Sequence, residues 1–308
     1  MVPEPVTWQE RGVRSRRMAT LARILRNWAI VLALSLGSIV MLFPLFWMLI
    51  TSVKTPPQIQ RVPLEFWPNP VDWSSYPNAW GDAGFSLYTK NSLIVAVGAT
   101  ATCVFVSSLM AYALARLEFK GKNLVFLLIL STMMIPGQIT FIPRFLISSR
   151  LPLAGHNNLL GQGGSGLLNT YVGFMVPSLV TAFGVFLMRQ FMLGFPRDLE
   201  DAGRMDGASE FMIYWRLVLP MCVPALVTLA MLTFTGVWND FLWPLVMTTS
   251  GNMKTIPLGL MALRGVFFTD WNGVMAGTAI SIAPTIALFV VGQRYFQRSL
   301  TLTGMGGT

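Results

Sequence analysis

The sequence predicts an all-α membrane protein, a polytopic bundle of six transmembrane helices. Two observations support this fold class. Of the 308 residues, 54% are hydrophobic and only 11% are charged, and the mean hydropathy is +0.59. A soluble domain of this length needs more charge to cover its surface. The charges are also missing from six long stretches, at residues 27–53, 91–115, 123–143, 151–188, 217–239 and 271–293.

The length of these uncharged stretches sets the number of spans. Five of them contain 21 to 27 residues, and the fourth contains 38, enough for one span and a loop. A helix that rises 1.5 Å per residue needs about 20 residues to cross ~30 Å of hydrocarbon. Buried helices of a large soluble protein would not repeat this length six times. We therefore predict spans at residues 28–50, 92–115, 124–146, 170–188, 220–245 and 274–293.

Basic residues predict the orientation of the chain. The net charge of +9 could indicate nucleic-acid binding, but the distribution of the charges favours a membrane topology. With the N-terminus in the cytoplasm, 15 of the 22 Lys and Arg residues lie on the inner side and 7 on the outer side. Basic residues resist translocation and pair with anionic headgroups. Six of the inner residues precede the first span: Arg11, Arg14, Arg16, Arg17, Arg23 and Arg26.

This topology divides the chain into a cytoplasmic basic N-terminus at residues 1–27, a six-helix domain at 28–296 and a cytoplasmic tail at 297–308. Trp28 and Trp47 are placed to anchor the first span at the two interfaces. The segment of roughly 40 residues that follows the first span is rich in Pro and Trp, which predicts an ordered cap on the outer side.

Prolines within the later spans predict kinks. Pro136 and Pro143 lie in span three, Pro177 in span four and Pro284 in span six. A proline removes one backbone donor, and membrane helices tolerate this where neighbouring helices or water satisfy the freed carbonyl. The Gly-rich segment 148–169 predicts a flexible outer turn. Its His156 is interpreted as a solvated loop residue, because one histidine does not make a metal site.

The most informative segment is the inner loop at residues 197–220, RDLEDAGRMDGASEFMIYWRLVLP. Its pattern predicts two short helices joined by a turn at Asp206 and Gly207. Ser209 is a suitable N-cap for the second helix, which we expect to run straight into span five. Charges of both signs and three aromatic residues favour a docking surface for a soluble partner. Composition alone equally permits an amphipathic linker resting on the headgroups.

The spacing within this loop resembles the EAA loop of ABC-importer permeases. That pattern is EAA, three residues, Gly, nine residues, Ile, any residue and Leu-Pro. Conservative replacements stand at three places, with Asp for Glu, Gly for the second Ala and Leu for Ile. The matching positions, with the acid that often precedes the motif, are Glu200, Asp201, Ala202, Gly203, Gly207, Leu217, Leu219 and Pro220.

Most of the chain after residue 92 is similar to the MalG-type permeases of carbohydrate importers. The similar segments are VWNDFLWP at 237–244, SGNMKTIPLGL at 250–260, DWNGVMAGTAIS at 270–281 and the ending QRYFQRSLTLTGMGG. The resemblance implies the permease fold of type I ABC importers. It also implies a non-catalytic subunit that binds no cofactor, with ATP and Mg²⁺ held by partner ATPases.

The same resemblance implies the partners and the roles of two loops. The partners would be a MalF-like second permease, two copies of a cytoplasmic ATPase, an extracytoplasmic solute-binding protein and the lipid bilayer, with no nucleic acid. The cytoplasmic loop 189–219 would contain the coupling helix, which moves with the ATPases. An outer loop would enter the cleft of the binding protein, at Gly251, Asn252, Met253 and Lys254; an ordinary polar hairpin is the alternative reading of those residues.

Asp240, in the sequence Trp238-Asn239-Asp240, is an acid at the edge of a predicted span. An acid there is unfavourable unless it is paired or hydrated. Two roles remain open: a hydrogen bond to free backbone at the outer end of span five, or a place on the substrate path. Trp243 and Trp271 could stack on a sugar ring, although interface anchoring is the commoner role of tryptophan.

The predicted function is therefore uptake of a sugar, of the di- or oligosaccharide type, into the cytoplasm across a bacterial or archaeal inner membrane. A permease for a sugar-like phosphate such as glycerol 3-phosphate is the closest alternative. A secondary transporter or channel would belong to a different class. Such a protein would carry ionisable residues within several spans, and this chain has almost none there.

Overall fold

The computed structural model describes residues 8–265 and 269–304, with side chains at 23–265 and 269–294. The basic side chains predicted at positions 11, 14, 16, 17 and 298, and the last residues of the tail at 305–308, lie outside this description. The described chain is helical, as predicted, and its β-structure consists of one isolated bridge between Arg264 and Thr269.

Fifteen α-helices follow one another over the described residues. They are α1 (Trp8–Ser52), α2 (Pro56–Ile59), α3 (Ser75–Trp80), α4 (Phe85–Arg116), α5 (Lys122–Ser131), α6 (Gly137–Ser149), α7 (Tyr171–Met175), α8 (Ala182–Leu193), α9 (Asp198–Met205), α10 (Glu210–Ile213), α11 (Leu219–Met221), α12 (Val223–Trp238), α13 (Leu242–Met247), α14 (Ile256–Ala262) and α15 (Trp271–Gly304). Short 3₁₀ turns and one π-helical segment, Tyr214–Val218, join some of them.

Three of these helices are long and apolar enough to cross a membrane in one piece: Arg23–Ser52 within α1, Phe85–Arg116, and Trp271–Arg294 within α15. Three further pairs pass the same test together, but each is bent. The predicted count of six is therefore reached when each bent pair forms one span. The start of the second span lies seven residues before the predicted position 92, at Phe85.

Spans three and four, where prolines predict kinks, are each broken into two helices. Span three breaks by 103° between Met134 and Gly137, and span four by 52° between Ser178 and Ala182. Ile135 has an extended backbone, with ψ at 117°, because the ring of Pro136 disfavours the helical conformation in the preceding residue. Span four then continues to Leu193, beyond the predicted end at residue 188.

Span five also differs from its prediction. The second helix of the inner loop does not run straight into it, because a bend of 79° separates Met221 from Val223. The break falls at Cys222, two residues after Pro220, and Pro224 then lies in the first turn of α12. The helix ends at Trp238 rather than at 245, and a separate short helix, α13, follows.

The core is built around α4, which packs along both α8 and α12. Near its inner end, Tyr112 belongs to a buried cluster with Met188, Ile213 and Tyr214. At its outer end, Phe85 packs with other buried side chains of α12, α14 and α15, and Val95 packs with residues of α7 and α13. Helix α4 therefore reaches from the inner loops to the outer loops of the protein.

The predicted cap after span one is an ordered segment, at residues 53–84. Its key residue is Lys54, whose side chain is buried against the ring of Trp47, with the ammonium 4.3 Å from the ring centroid. The Lys54 ammonium donates to the carbonyl of Glu65, and its own carbonyl accepts from the side chain of Asn272 in α15. Burial lowers the pKa of Lys54, and the charge of Glu65 opposes this effect. These contacts attach the cap to α1 and α15.

Candidate functional site

The inner loop has the two predicted short helices, α9 and α10. Three acids in the first turn of α9 and Arg204 in its last turn suit the helix dipole. Gly207 then reverses the chain with φ at +81°, a conformation that glycine adopts without steric cost. The Ser209 hydroxyl accepts a hydrogen bond from the backbone N–H of Met212 and caps α10, as predicted.

The two candidate acids of this loop lie in opposite environments. Glu200 is buried, with a side chain only 4% exposed, and its carboxylate lies 2.9 Å from the guanidinium of Arg116 at the end of α4. The side chain of Asp201 is 63% exposed and pairs with Arg204 on its own helix. Of the two, only Asp201 is accessible to a partner in this structure.

Charged and polar groups from three elements surround the inner loop. Arg204 of α9 hydrogen-bonds to Asp201 and to Glu210 of α10, and Tyr112 of α4 donates to Glu210 at 2.7 Å. Burial raises the pKa of the Glu200 carboxyl, and the charges of Arg116, Arg204 and Arg197 oppose it. The hydrogen bond with Glu210 raises the pKa of Arg204. Arg204 therefore stays charged and holds α9 and α10 together.

The remaining motif residues shape the loop. A Cβ added to Gly203 would lie 3.1 Å from a methyl group of Leu217. Glycine at this position therefore lets α9 pack closely against the π-helical segment. Ala202 and Pro220 are exposed, whereas Leu219 is partly buried. Large apolar side chains beside the acids are also exposed: Leu199, Met205, Phe211, Met212 and Trp215. We call residues 198–215 the inner surface.

At the opposite end, the predicted outer loop is a short 3₁₀ turn, Gly251–Met253, held firmly by its neighbours. The amide of Asn91, at the start of span two, donates to the carbonyls of Asn252 and Lys254 at 2.9 Å each. The hydroxyl of Tyr171 donates to the side-chain oxygen of Asn91. The side-chain oxygen of Asn169 accepts three hydrogen bonds from residues 249 and 250. The tip of the loop is therefore exposed on a rigid base.

The comparisons with known proteins agree with this architecture. The family described as binding-protein-dependent transport system inner membrane component matches residues 103–302. The chain belongs to this family. It is accordingly a multi-pass permease subunit of an ABC importer, and the predicted resemblance to ABC-importer permeases is confirmed. Permeases of this family are non-catalytic membrane subunits.

Several curated relatives are similar over most of this permease. The arabinooligosaccharides transport system permease protein AraQ of Bacillus subtilis is 34% identical over 284 residues, which cover 91% of this chain and 95% of AraQ. The probable ABC transporter permease protein YurM of the same organism is 34% identical over 269 residues, 86% of this chain and 84% of YurM. The sn-glycerol-3-phosphate transport system permease protein UgpE of Yersinia enterocolitica is 30% identical, over 87% of this chain and 93% of UgpE.

The fold is also found in a solved transporter. A chain of a bacterial ABC transporter that imports the acidic polysaccharide alginate matches with a TM-score of 0.73 and 23% identity, over 96% of this permease and 100% of that chain. A second structure, of the alginate transporter with a pentasaccharide-bound periplasmic protein, contains a chain that matches with a TM-score of 0.64 and 14% identity, over 90% and 96% of the two chains. These matches establish the type I importer permease fold.

The third group of candidate residues, Trp238, Asn239 and Asp240, ends span five of the permease. Trp238 is buried, and its ring N–H donates to the carbonyl of Ser281 in α15. Asn239 hydrogen-bonds back to its own helix, at the carbonyl of Thr235. The Asp240 carboxylate accepts from the backbone N–H of Trp243, so it has a structural partner at the start of α13. A place for these residues on the substrate path stays a prediction.

The two tryptophans considered for stacking on a sugar differ in exposure. Trp243 is buried, with its ring N–H donating to the carbonyl of Gly173, whereas Trp271 is 44% exposed. Sequence reasoning missed Arg116, which it counted only as a topology charge, and Asn91. A polar residue at the boundary of an uncharged stretch was the available signal in both cases.

Proposed function

We propose that the chain is the transmembrane subunit of an ATP-driven importer that moves a di- or oligosaccharide into the cytoplasm. The inner surface, 198–215, is the docking site for one of two cytoplasmic ATPase subunits. A MalF-like permease completes the membrane part, and an extracytoplasmic binding protein delivers the substrate. ATP and Mg²⁺ bind to the ATPases, and this chain needs no cofactor of its own.

The observation that carries this proposal is the structured inner loop. An exposed acid, Asp201, shares the inner surface with exposed apolar side chains, and its helix is fixed by buried contacts. Aromatic and long apolar side chains around a charged group are typical of protein docking sites. A linker that merely rests on headgroups needs neither the glycine reversal nor the buried acid.

The outer loop supports import, in which an extracytoplasmic binding protein delivers the substrate. We infer that Gly251, Asn252, Met253 and Lys254 meet the binding protein, because the tip of this loop is exposed while its base is hydrogen-bonded to α4 and to the segment before α7. A rigid loop can displace substrate from a partner's cleft, whereas a mobile loop would first have to be ordered.

Oligosaccharide is favoured over a phosphate ester as the substrate. Two relatives are named for arabinooligosaccharides and for sn-glycerol 3-phosphate, so both classes occur among similar permeases. Recognition of phosphate normally uses Arg, Lys or helix N-termini. Arg144 in α6 and Arg189 in α8 lie near the ends of their spans, and the middle part of each span has no Lys or Arg, which favours a neutral cargo.

The proposal is tested with the complete transporter in proteoliposomes, by measuring ATP-dependent uptake of radiolabelled oligosaccharide. Asp201→Lys reverses the exposed acid, and we expect the ATPase to dissociate and uptake to be lost. The matched control is Asp82→Lys, the same change at an exposed acid in the cap. Full uptake by Asp201→Lys, or uptake by the wild type without any ATPase, contradicts the proposal.

A further inference from the structure

Arg116 is a buried cation that links three parts of the permease. It is the last residue of α4, and its side chain is only 2% exposed. Its guanidinium lies 2.9 Å from Glu200 of α9, and it also donates to the backbone carbonyls of Met192 and Phe195. One side chain therefore connects the inner ends of spans two and four with the first helix of the inner surface.

The geometry of this contact suits a rigid connection between the helices. The last carbonyls of a helix lack partners within the helix, and a cation is favourable at that end. Arg116 supplies both the donors and the charge to the end of α8. Arginine is also the side chain that serves several acceptors at once, because its planar guanidinium carries five N–H groups in a fixed arrangement.

The covalent route from the inner surface to span five is less direct. From α10 the chain passes through a π-helical segment and then through the 79° bend at Cys222 before it reaches span five. The chain can bend at these two irregular segments, so a displacement of α9 need not reach span five through the backbone. Arg116 and Glu200 bypass them, and the hydrogen bond from Tyr112 to Glu210 adds a second link between α4 and the loop.

We propose that Arg116 is a positioning residue for energy coupling, and that with Glu200 it makes α9 and the inner ends of spans two and four move as one body. This inference rests on the proposed function. It assigns the two adjacent acids different tasks: Asp201 faces the ATPase, and Glu200 holds the docked helix to the spans that must move.

A matched control is present in the same region. Arg189 of α8 donates to the carbonyl of Leu114 in α4 and lies over the ring of Phe126, 4.0 Å from its centroid. It also joins α8 to α4, but it makes no hydrogen bond or ion pair to α9 among the described contacts. Arg189→Gln therefore removes a link between spans, whereas Arg116→Gln removes the link from those spans to α9.

The test measures oligosaccharide molecules transported per ATP hydrolysed by the complete transporter in proteoliposomes. We expect Arg116→Gln and Glu200→Gln each to lower this ratio about tenfold, a typical size for coupling between sites, while the ATPase still co-purifies and hydrolyses ATP. The exchange of the two charges, Arg116→Glu with Glu200→Arg, should recover part of the ratio. Arg189→Gln should keep the wild-type ratio.

An unchanged ratio in Arg116→Gln, or an equal fall in Arg189→Gln, overturns the inference and leaves the proposed function intact. A wild-type transporter that hydrolyses ATP without uptake overturns both. If the Arg116 variants fail to accumulate, spin labels at positions 120 and 198 on the otherwise native chain give the answer. The distance between the labels must stay constant between the nucleotide-free and vanadate-trapped complexes, and a change in it overturns the inference.

Discussion

At the scale of single residues, the inner surface depends on a backbone conformation that few side chains adopt. Gly207 has φ at +81°, and a Cβ added there would meet no atom within 4 Å. The left-handed conformation alone costs an L-residue about 1–2 kcal/mol. We therefore expect Gly207→Ala to misplace α10 relative to α9 and to weaken ATPase binding. Co-purification of the ATPase and the ATPase rate of the complex measure this effect.

Gly121 provides the control, because it has φ at +84° and equally open surroundings, but lies between spans two and three. Gly121→Ala introduces the same strain away from the inner surface and should leave ATPase binding unchanged. Gly207→Asn should lie between wild type and Gly207→Ala, since asparagine tolerates the left-handed region. Equal losses in the two alanine variants would show that the strain acts on general stability and not on docking.

The two acids show how far residue types can be predicted from the sequence. The motif spacing places Glu200 and Asp201 in the loop between spans four and five, where the structure has α9. Successive residues of a helix point about 100° apart, so the two acids face different surroundings. Which one it is depends on Arg116, which lies 84 positions earlier in the chain. Local spacing contains no information about such a contact.

At the scale of helices, the sequence predicts where spans lie better than how they run. Hydropathy reports the length of an apolar stretch and is insensitive to a change in its direction. Pro136 predicts a kink in span three, but the two helices on either side of it are bent by 103°. The break in span five lies at Cys222, where the sequence signal consists only of Pro220 and Pro224 on either side.

Close packing in the first half of span four gives a prediction for α7. A Cβ on Gly173, in α7, would lie 2.1 Å from the backbone carbonyl of Leu167, too close for the two atoms to coexist. Overpacking of this kind typically costs about 1–3 kcal/mol. We expect Gly173→Ala to lower the apparent melting temperature of the purified permease by several degrees.

The matching control is Gly137→Ala, at the start of α6, where an added Cβ has no neighbour within 4 Å. Both glycines lie near the start of a helix that forms one half of a bent span, so both changes test the same kind of site. Fluorescence-detected thermal unfolding in one detergent, at one scan rate, compares the two variants with the wild type. A melting temperature of Gly173→Ala equal to that of Gly137→Ala would contradict the close approach of α7 to residue 167.

At the scale of the whole molecule, α4 joins two polar networks at opposite ends. Asn91 holds the outer loop, and Arg116 holds the inner surface. The 25 residue steps from Asn91 to Arg116 correspond to about 37 Å of helix, at 1.5 Å per residue, which exceeds the hydrocarbon thickness of ~30 Å. A single continuous helix therefore connects the proposed binding-protein contact and the proposed ATPase contact across the bilayer.

The arrangement of loops at each end gives a prediction of topology. Asn169 hydrogen-bonds to Thr249 and Ser250, so the loops at 148–170 and 248–255 share one side. Arg197 pairs with Glu118, so the loops at 117–121 and 194–209 share the other. The excess of basic residues predicts that this second side is cytoplasmic. We therefore expect opposite accessibility at the two ends of the molecule.

Single cysteines introduced at Gln162 and Asn252, and at Lys120 and Met205, test this arrangement, because all four positions are exposed. The native thiols, Cys103 and Cys222, are fully buried and contribute little background. A membrane-impermeant maleimide applied to intact spheroplasts should label positions 162 and 252, and should label 120 and 205 only after lysis. Labelling of position 205 from outside would place the inner surface on the wrong side for an ATPase, since only the cytoplasm supplies ATP to such a partner. Labelling before and after lysis therefore tests both the orientation and the coupling proposal.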